Sequence, residues 1–294
     1  MYATELPSER AHTATIPVEL RAQGRLFVEA LAAGGRTVRG AVEEAGPSRV
    51  RFPLSGRRGA ALEGVLLNTG GGFAGGDSSH VAAHAREGAH LVLTTQAAEK
   101  IYRSDGALTR LNVELKVGEG ACLDWMPQAT ILFDRARVER SITADVAGGG
   151  RLLMIEPLLL GRTASGETLR AGSLFDRWRV RREGRLIYAD GLDLSGDLSA
   201  ALGRRAVTRN WAGLATILLI APDAESRLES VRAALGIGEE PADGLPDGLE
   251  AGASAWNGML SVRLLARDGA GIERAIRRII PELGVTEVPR IWHS

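Results

Sequence analysis

The stretch that decides the fold is Glu87-Gly88-Ala89-His90-Leu91, which leads to Gln96 and returns about 30 residues later as Glu119-Gly120-Ala121-Cys122-Leu123, which leads to Gln128. Weaker echoes follow in Gly149-Gly150-Arg151-Leu152 and Glu183-Gly184-Arg185-Leu186. A turn followed by a strand, repeated every ~30 residues, is typical of stacked, solenoid-like β-structure. Chance similarity is the alternative, because Glu-Gly-Ala is a common turn sequence. Both interpretations predict a β-rich region.

Strand-length segments broken by glycine turns extend from about residue 19 to residue 220. Residues 79–86 alternate most clearly, because His80 and His84 share one face of an extended chain while Val81 and Ala85 lie on the other. Similar strands are predicted at 25–30, 62–68, 90–95, 110–117, 151–155, 178–182 and 185–189.

The last third of the chain changes character. Helices are predicted near 223–235, with Asp223 as the cap and Gly236 as the stop, and near 271–281. Strands are predicted at 216–221 and 259–266, a mobile loop at 236–253, and an extended tail around Pro289 and Trp292. The predicted fold is thus mainly β and helically wound, with about two α-helices in the C-terminal third. We expect a flexible leader over 1–20 and a single domain over 21–294.

Composition excludes several classes of protein. Lys plus Arg and Asp plus Glu are both 36, so the chain has no charge excess that favours nucleic acid or a membrane surface. Hydrophobic residues make up 45%, enough for a core. The single cysteine, Cys122, rules out a disulfide framework and a cysteine-rich zinc site within one chain. No apolar run is long enough for a membrane helix or a signal peptide, so the cytoplasm is the expected location.

Motifs of nucleotide binding and catalysis are weak or missing. Residues 70–75 satisfy G-x-G-x-x-G, but a strand-like segment follows where a dinucleotide fold needs a helix, so a tight glycine turn is the better interpretation. The sequence has no G-x-x-x-x-G-K-[ST], H-E-x-x-H or G-x-S-x-G. Glu156 and Glu167 flank Arg162, and they form either an acid–base pair or an ordinary charge network.

Two groups of polar residues are candidates for binding. His80 and His84 are able to contribute to a metal site together with Asp77, although solvated histidines are the commoner case. Polar residues occur within predicted apolar strands at two places. Gln96 and Lys100 form the first group, and the second lies around Gln128. Such groups are costly to bury without partners, so they line a polar interior path or an interface, or else lie in surface turns.

An ordered set of short motifs over residues 21–294 resembles the UreD family of urease accessory proteins, also called UreH. The matching segments are Gly35-Arg36-Thr37, Asn68-Thr69-Gly70-Gly71-Gly72-Phe73-Ala74-Gly75-Gly76-Asp77, Thr94-Thr95-Gln96-Ala97-Ala98-Glu99-Lys100-Ile101-Tyr102-Arg103-Ser104, Trp125-Met126-Pro127-Gln128, Ile131-Leu132-Phe133-Asp134, Glu156, Gly161-Arg162-Thr163-Ala164-Ser165-Gly166-Glu167 and Val288-Pro289-Arg290-Ile291-Trp292.

The resemblance implies a non-catalytic scaffold that forms a complex with the accessory protein UreF and, through UreF, the GTPase UreG. That complex would dock on the urease apoprotein and promote GTP-dependent nickel insertion. No tightly bound cofactor is expected, only transient Ni²⁺. The alternative from another class is a β-rich hydrolase or isomerase that uses Glu156 and Glu167.

Two sets of site residues follow from these motifs. Arg290 and Trp292 are the expected anchors of the UreF interface, because aromatic and arginine side chains dominate tight interfaces. A route for hydrated nickel is the second expectation, since carboxylates and amides hold this ion more loosely than imidazole and thiolate do. The alternative is that these groups pair with one another to join strands. The route residues are Asp77, Gln96, Lys100, Gln128, Glu156, Arg162 and Glu167.

Overall fold

The computed structural model describes residues 21–53, 61–162, 165–238, 248–285 and 288–293. The expected leader, residues 1–20, lies outside the described residues, as do Thr163 and Ala164. The strands, in chain order, are β1 (Gln23–Ala33), β2 (Arg36–Ala45), β3 (Ser48–Arg51), β4 (Leu62–Asn68), β5 (Ser78–Ala85), β6 (His90–Thr95), β7 (Glu99–Ile101), β8 (Thr109–Val117), β9 (Cys122–Trp125), β10 (Thr130–Leu132), β11 (Arg137–Val146), β12 (Arg151–Leu160), β13 (Ala171–Arg182), β14 (Arg185–Asp197), β15 (Gly213–Ile220), β16 (Leu249–Trp256) and β17 (Met259–Ala266).

Two sheets form the body of the protein. The seven-stranded sheet has the order β14-β13-β11-β8-β5-β1-β2. The ten-stranded sheet has the main order β16-β17-β15-β12-β9-β6-β4-β3, with β7 and β10 attached beside it. Their inner faces pack together through aliphatic side chains such as Leu26, Leu91 and Ile142. The antiparallel edges are β2 and β14 in the first sheet, and β3 and β16 in the second.

The parallel centre of both sheets is a β-solenoid of about four turns, which confirms the predicted fold class. Successive turns place β5, β8 and β11 side by side in one sheet, and β6, β9 and β12 in the other. His90, Cys122 and Arg151 are neighbours in register, so the repeated turn-and-strand motif does mark equivalent positions. Its last echo, at 183–186, is instead the hairpin turn between antiparallel β13 and β14.

The backbone conformation explains why glycine occurs in the repeated motif. Gly88 and Gly120 have φ values of 66° and 61°, the left-handed region that glycine enters without steric strain. The two turns stack, because the Gly88 N–H donates to the carbonyl of Glu119 at 3.0 Å. The glycine-rich segment after β4 also forms a tight turn. A Cβ on Gly72 would lie 2.6 Å from the Tyr102 ring, so only glycine allows this approach.

Strand predictions were most accurate for strands with a well-buried face. Segments 62–68, 90–95 and 259–266 coincide with β4, β6 and β17. The predicted loop at 236–253 is too long, because β16 begins at Leu249; residues 239–247 lie outside the described part of the chain. The sequence did not predict β2 and β11, two ten-residue strands whose polar outward faces hide the apolar alternation. It also did not predict several shorter strands, such as β3 and β10.

The helices are α1 (Leu198–Gly203), α2 (Leu228–Leu235) and α3 (Gly269–Ile279). The sequence predicted α2 and α3 but not α1, which is too short to show a periodic pattern. Gly236 ends α2 in the left-handed conformation, as expected. Asp223 does not cap this helix, because its carboxylate accepts hydrogen bonds from Arg227. The expected extended tail is a 3₁₀ turn over Arg290–His293.

The second core lies outside the ten-stranded sheet, where α2, α3 and the C-terminal turn cover it. Met126, Leu153 and Ile217 of the sheet pack against Ile276 and Trp292. The Trp292 Nε1–H donates to the carbonyl of Met126 at 3.1 Å, which fastens the C-terminal segment to the sheet. Across the described ranges, no helix is long and apolar enough to cross a membrane.

Candidate functional site

Glu156 is a charged residue in the middle of the inter-sheet core. Side chains alternate along β12, so Leu152, Met154, Glu156 and Leu158 all face the space between the sheets. Glu156 is only 5% exposed. A carboxylate at this position is expensive to desolvate unless charged or hydrogen-bonding partners surround it.

Two strands of the facing sheet provide partners by the same alternation. Arg140 continues the inward row of Val138 and Ile142 on β11. Asp176 continues the inward row of Leu174 and Trp178 on β13, and the two residues are register partners in adjacent strands. Each charged residue therefore replaces one aliphatic position of an otherwise apolar row.

These residues and Trp125 form the buried charge cluster. Arg140 Nη1 donates to Glu156 Oε2 at 2.5 Å. Arg140 also donates two hydrogen bonds to Asp176, from Nη2 to Oδ2 at 2.5 Å and from Nε to Oδ1 at 3.0 Å. Trp125 Nε1–H donates to Glu156 Oε1 at 2.5 Å. All four side chains are buried, so these charge-assisted hydrogen bonds act largely away from water.

The cluster has one cationic and two anionic side chains, which leaves one excess negative charge when all are ionised. Burial raises the pKa of Glu156, and Arg140 and the Trp125 hydrogen bond only partly oppose this effect. Burial alone would lower the pKa of Arg140, but Asp176 and Glu156 raise it above its usual value. The guanidinium is therefore permanently charged, while the site as a whole favours the arrival of further positive charge.

Two cavities meet at this cluster. A cleft of about 380 Å³ lies toward the edges formed by β14 and β16, and its walls include Asp190, Glu250 and Arg263. A second cavity of about 100 Å³, here called the interior cavity because it lies between the two sheets, is on the other side, toward β3 and β4, and is partly open to solvent. Arg140 and Glu156 line both spaces. A buried water needs roughly 10–15 Å³, so each cavity has room for several waters.

The wall of the interior cavity is mainly apolar but includes several polar side chains. Its walls include Asn68, Thr95, Glu99 and Gln128. Asn68 Nδ2–H donates to Glu99 Oε2 at 3.2 Å, and burial raises the pKa of Glu99. The buried Nε2 of Gln128 has no hydrogen-bond partner among the described residues. The cavity thus offers amide and carboxyl groups to water or to an ion.

The other residues of the expected route lie elsewhere. Gln96 and Lys100 are exposed. Asp77 is buried in the turn before β5, where Oδ1 accepts the Ala22 N–H at 2.7 Å and Oδ2 accepts the Ala74 N–H at 2.8 Å. Both of its oxygens therefore hold backbone, which makes Asp77 an organiser of the glycine-rich turn.

Glu156 and Glu167 do not share a site, so they do not form the acid–base pair that the enzyme alternative requires. Glu167 Oε2 accepts from Arg162 Nε, and its Oε1 accepts the Asp134 N–H at 2.8 Å. Arg162 is exposed, and its guanidinium lies 4.4 Å from the centre of the Phe133 ring. This network holds a surface loop, whereas Glu156 pairs with Arg140 in the core.

His80 and His84 lie on the outer face of the seven-stranded sheet. Four residues of extended strand separate them by about 13 Å, too far for both to ligate one ion. His84 packs edge-on against Phe27 with ring centroids 4.8 Å apart, and burial lowers its pKa. Within the described segments, no group of three His, Cys, Asp or Glu side chains is arranged to hold a metal ion.

The structure changes the role expected for Trp292. Its side chain is 3% exposed and belongs to the second core, so it is not available as a surface anchor. Arg290 is exposed beside it. Conversely, Arg140 and Asp176 were missed from the sequence. Each is a charged residue on the apolar face of an alternating strand. This pattern can be recognised only after β11 and β13 have been identified as strands.

Comparison with known proteins agrees with the resemblance seen in the motifs. The family model described as UreD urease accessory protein matches residues 21–293. The urease accessory protein UreD of Methylobacterium sp. (strain 4-46) is 47% identical over 283 residues, which cover 96% of this chain and 98% of the relative. The proteins of the same name from Xanthobacter autotrophicus and Bradyrhizobium diazoefficiens are 45% and 42% identical, over 92% and 97% of this chain and 90% and 99% of those relatives.

Glu156 and Glu167 do not form an acid–base pair, and the matched family and relatives are described as accessory proteins, so the hydrolase or isomerase alternative is set aside. The chain is a non-catalytic accessory protein with a role in urease maturation. From the family model that matches residues 21–293 and from its relatives, it belongs to the UreD family of urease accessory proteins.

Proposed function

We propose that this chain is the scaffold of a cytoplasmic UreD–UreF–UreG complex that docks on the urease apoprotein and carries Ni²⁺ toward its metallocentre. The observation that carries the proposal is the buried charge cluster with its excess negative charge, placed where two cavities meet. A cation that enters either cavity meets a favourable field without a strong chelating site.

Nickel is the cargo in this proposal and not a resident cofactor. Carboxylates and amides bind a partly hydrated divalent ion loosely, which permits release. Among the sequence candidates, Glu156 and Gln128 line the cavities and are kept as route residues. We assign Asp77, Arg162 and Glu167 to structural hydrogen bonds, and Gln96 and Lys100 to the surface.

GTP hydrolysis belongs to a partner. The sequence has no phosphate-cradling G-x-x-x-x-G-K-[ST] loop, so the chain itself is expected not to hydrolyse GTP. UreG is the proposed GTPase, held to this chain through UreF. The scaffold then supplies the passage and the docking surface for apo-urease.

Co-expression of the tagged chain with UreF, UreG and the urease apoprotein tests the assembly. We expect UreF to co-purify directly, UreG to co-purify only when UreF is present, and apo-urease to join the complex. Purification of the chain alone from cells that contain all partners would contradict the proposal.

A further inference from the structure

One arginine and one glutamate are common to the walls of the two cavities. Arg140 and Glu156 line both spaces, and the guanidinium lies between Glu156 and Asp176. An arginine has several rotatable bonds, whereas its backbone is held in β11, which pairs with β8 on one side and β13 on the other. Movement of Arg140 is therefore the smallest change that would join the cleft to the interior cavity.

We propose that Arg140 is a cation gate, whose guanidinium occupies the space between Glu156 and Asp176 that a divalent cation takes as it passes. This inference rests on the proposed nickel route. Neighbouring nitrogens of a single guanidinium contact the two carboxylates, which keeps their oxygens close together and directed at one cationic position.

Charge balance makes the exchange favourable for a divalent ion. With Arg140 in place and both carboxylates ionised, the cluster has one excess negative charge. If Ni²⁺ replaces the guanidinium between the two carboxylates, the charges at that position balance. A monovalent ion would leave the same excess as Arg140 does, so it gains nothing by displacing the arginine. The gate thus favours divalent over monovalent cations.

The cleft provides acceptors for the displaced guanidinium. The cleft beside it holds about 380 Å³ and is lined by Asp190 and Glu250. Asp190 already pairs with Arg263, and Glu250 pairs with Arg209 at 2.6 Å. A carboxylate has about four acceptor positions, so either one is able to accept a second arginine. Arg140 cannot leave by losing its proton, because its neighbours raise its pKa.

Replacement of Arg140 by methionine tests the gate, because Arg140→Met leaves the carboxylates without their cation but keeps an unbranched side chain. We expect the purified full-length Arg140→Met chain to bind one Ni²⁺ from nickel sulfate about tenfold or more tightly than wild type in equilibrium dialysis. Nickel should also raise its unfolding temperature, since a ligand that binds only the folded state stabilises it. Sodium and potassium salts at equal ionic strength should do neither.

The double variant Arg140→Met/Glu156→Gln is the matched control, and we expect it to lose the gained nickel binding. A folded Arg140→Met chain that binds nickel no better than wild type would overturn the gate, as would gained binding that survives in the double variant. If Arg140→Met does not fold, Arg140→Lys replaces it. A lysine keeps the charge but not the fork that holds two carboxylates. Tighter nickel binding than wild type is expected again, and its absence would overturn the gate.

Failure of the gate and failure of the route have different outcomes. Normal nickel loading of urease co-expressed with the Glu156→Gln chain contradicts the route itself. The gate alone is contradicted by two results together. Urease co-expressed with the Glu156→Gln chain contains less nickel, but the Arg140→Met chain binds nickel no more tightly than wild type.

Discussion

Two buried carboxylate clusters lie on neighbouring strands of the ten-stranded sheet but differ in their surroundings. The buried charge cluster is built around Glu156 on β12, between the sheets. The second, here called the outer cluster, consists of His90, Asp124 and Arg151. Asp124 belongs to β9, and its side chain is 2% exposed.

The outer cluster is balanced and joins elements of the fold. Asp124 Oδ1 accepts from Arg151 Nη1, and its Oδ2 lies 2.9 Å from His90 Nε2. Arg151 Nη2 also donates to the carbonyl of Leu283 at 2.9 Å, which attaches the segment after α3 to the sheet. Every charge here has a partner, so the outer cluster stabilises the fold and leaves no site for another ion.

The comparison shows that a buried ion pair alone says little about function. Both clusters satisfy their hydrogen bonds, and both use arginine. Only the buried charge cluster has an excess negative charge and contact with two cavities. Net charge and access distinguish the proposed passage from the structural joint.

The largest expected effect is loss of either arginine. Arg151→Met would leave Asp124 buried without its main cationic partner, which costs about 3–5 kcal/mol of unfolding free energy. Arg140→Met should cost a similar amount, measured by urea unfolding. Nickel should restore stability to Arg140→Met but not to Arg151→Met. Restoration of both variants by nickel would break the distinction between the clusters.

Loss of a single hydrogen-bonding side chain other than arginine should have a smaller effect. Trp125→Phe removes the hydrogen bond to Glu156, and hydrogen bonds to charged groups contribute about 1.5–3 kcal/mol. His90→Gln is the matched change in the outer cluster. It should cost less than about 1 kcal/mol, because His90 is partly exposed and Arg151 still holds Asp124. Equal losses in urea unfolding would contradict this ranking.

The two carboxyls should respond to pH in opposite directions. Burial raises the pKa of Glu156 in the folded state. Its contribution to stability is therefore complete below the unfolded value of about 4.3 and is lost as the pH rises through the folded pKa. Burial alone would raise the pKa of Asp124, but His90 and Arg151 lower it. Its contribution is present above about 3.9 and is lost as the pH falls through the folded pKa.

Urea unfolding across a pH series measures this difference, which is at most about 1.4 kcal/mol per pH unit for one group. In wild type, ionisation of Glu156 lowers the unfolding free energy as the pH increases above ~4.3, and Glu156→Gln should reduce this decline. Ionisation of Asp124 raises the unfolding free energy as the pH increases toward ~4, and Asp124→Asn should reduce this rise. Slopes of the same sign for both carboxyls would refute the assignment.

The solenoid could be predicted from sequence because its strands repeat. His90 and Cys122 recur in equivalent positions after glycine turns, and these residues are indeed register partners. The turn at Glu183-Gly184 misled the same reasoning, because a hairpin and a solenoid turn use similar residues. Local sequence specifies the turn but not which sheet the next strand enters.

The site was only partly predictable. Glu156 and Gln128 were found through family motifs, and both line the interior cavity. Arg140 and Asp176 were not found, because a charged residue in an unassigned strand looks like an ordinary surface residue. Trp292 was misjudged for the opposite reason, since its burial depends on a tertiary contact with Met126, far away in sequence.

The nickel content of urease, measured for the same amount of accessory complex, tests the central claim most directly. Urease is co-expressed with wild-type, Glu156→Gln or Asp124→Asn chains. We expect Glu156→Gln to keep the complex intact but to lower nickel per urease by about tenfold, equivalent to about 1.4 kcal/mol in the passage of the ion. Asp124→Asn should leave nickel per complex unchanged. Normal loading with Glu156→Gln, or equal losses in both variants, would contradict the account.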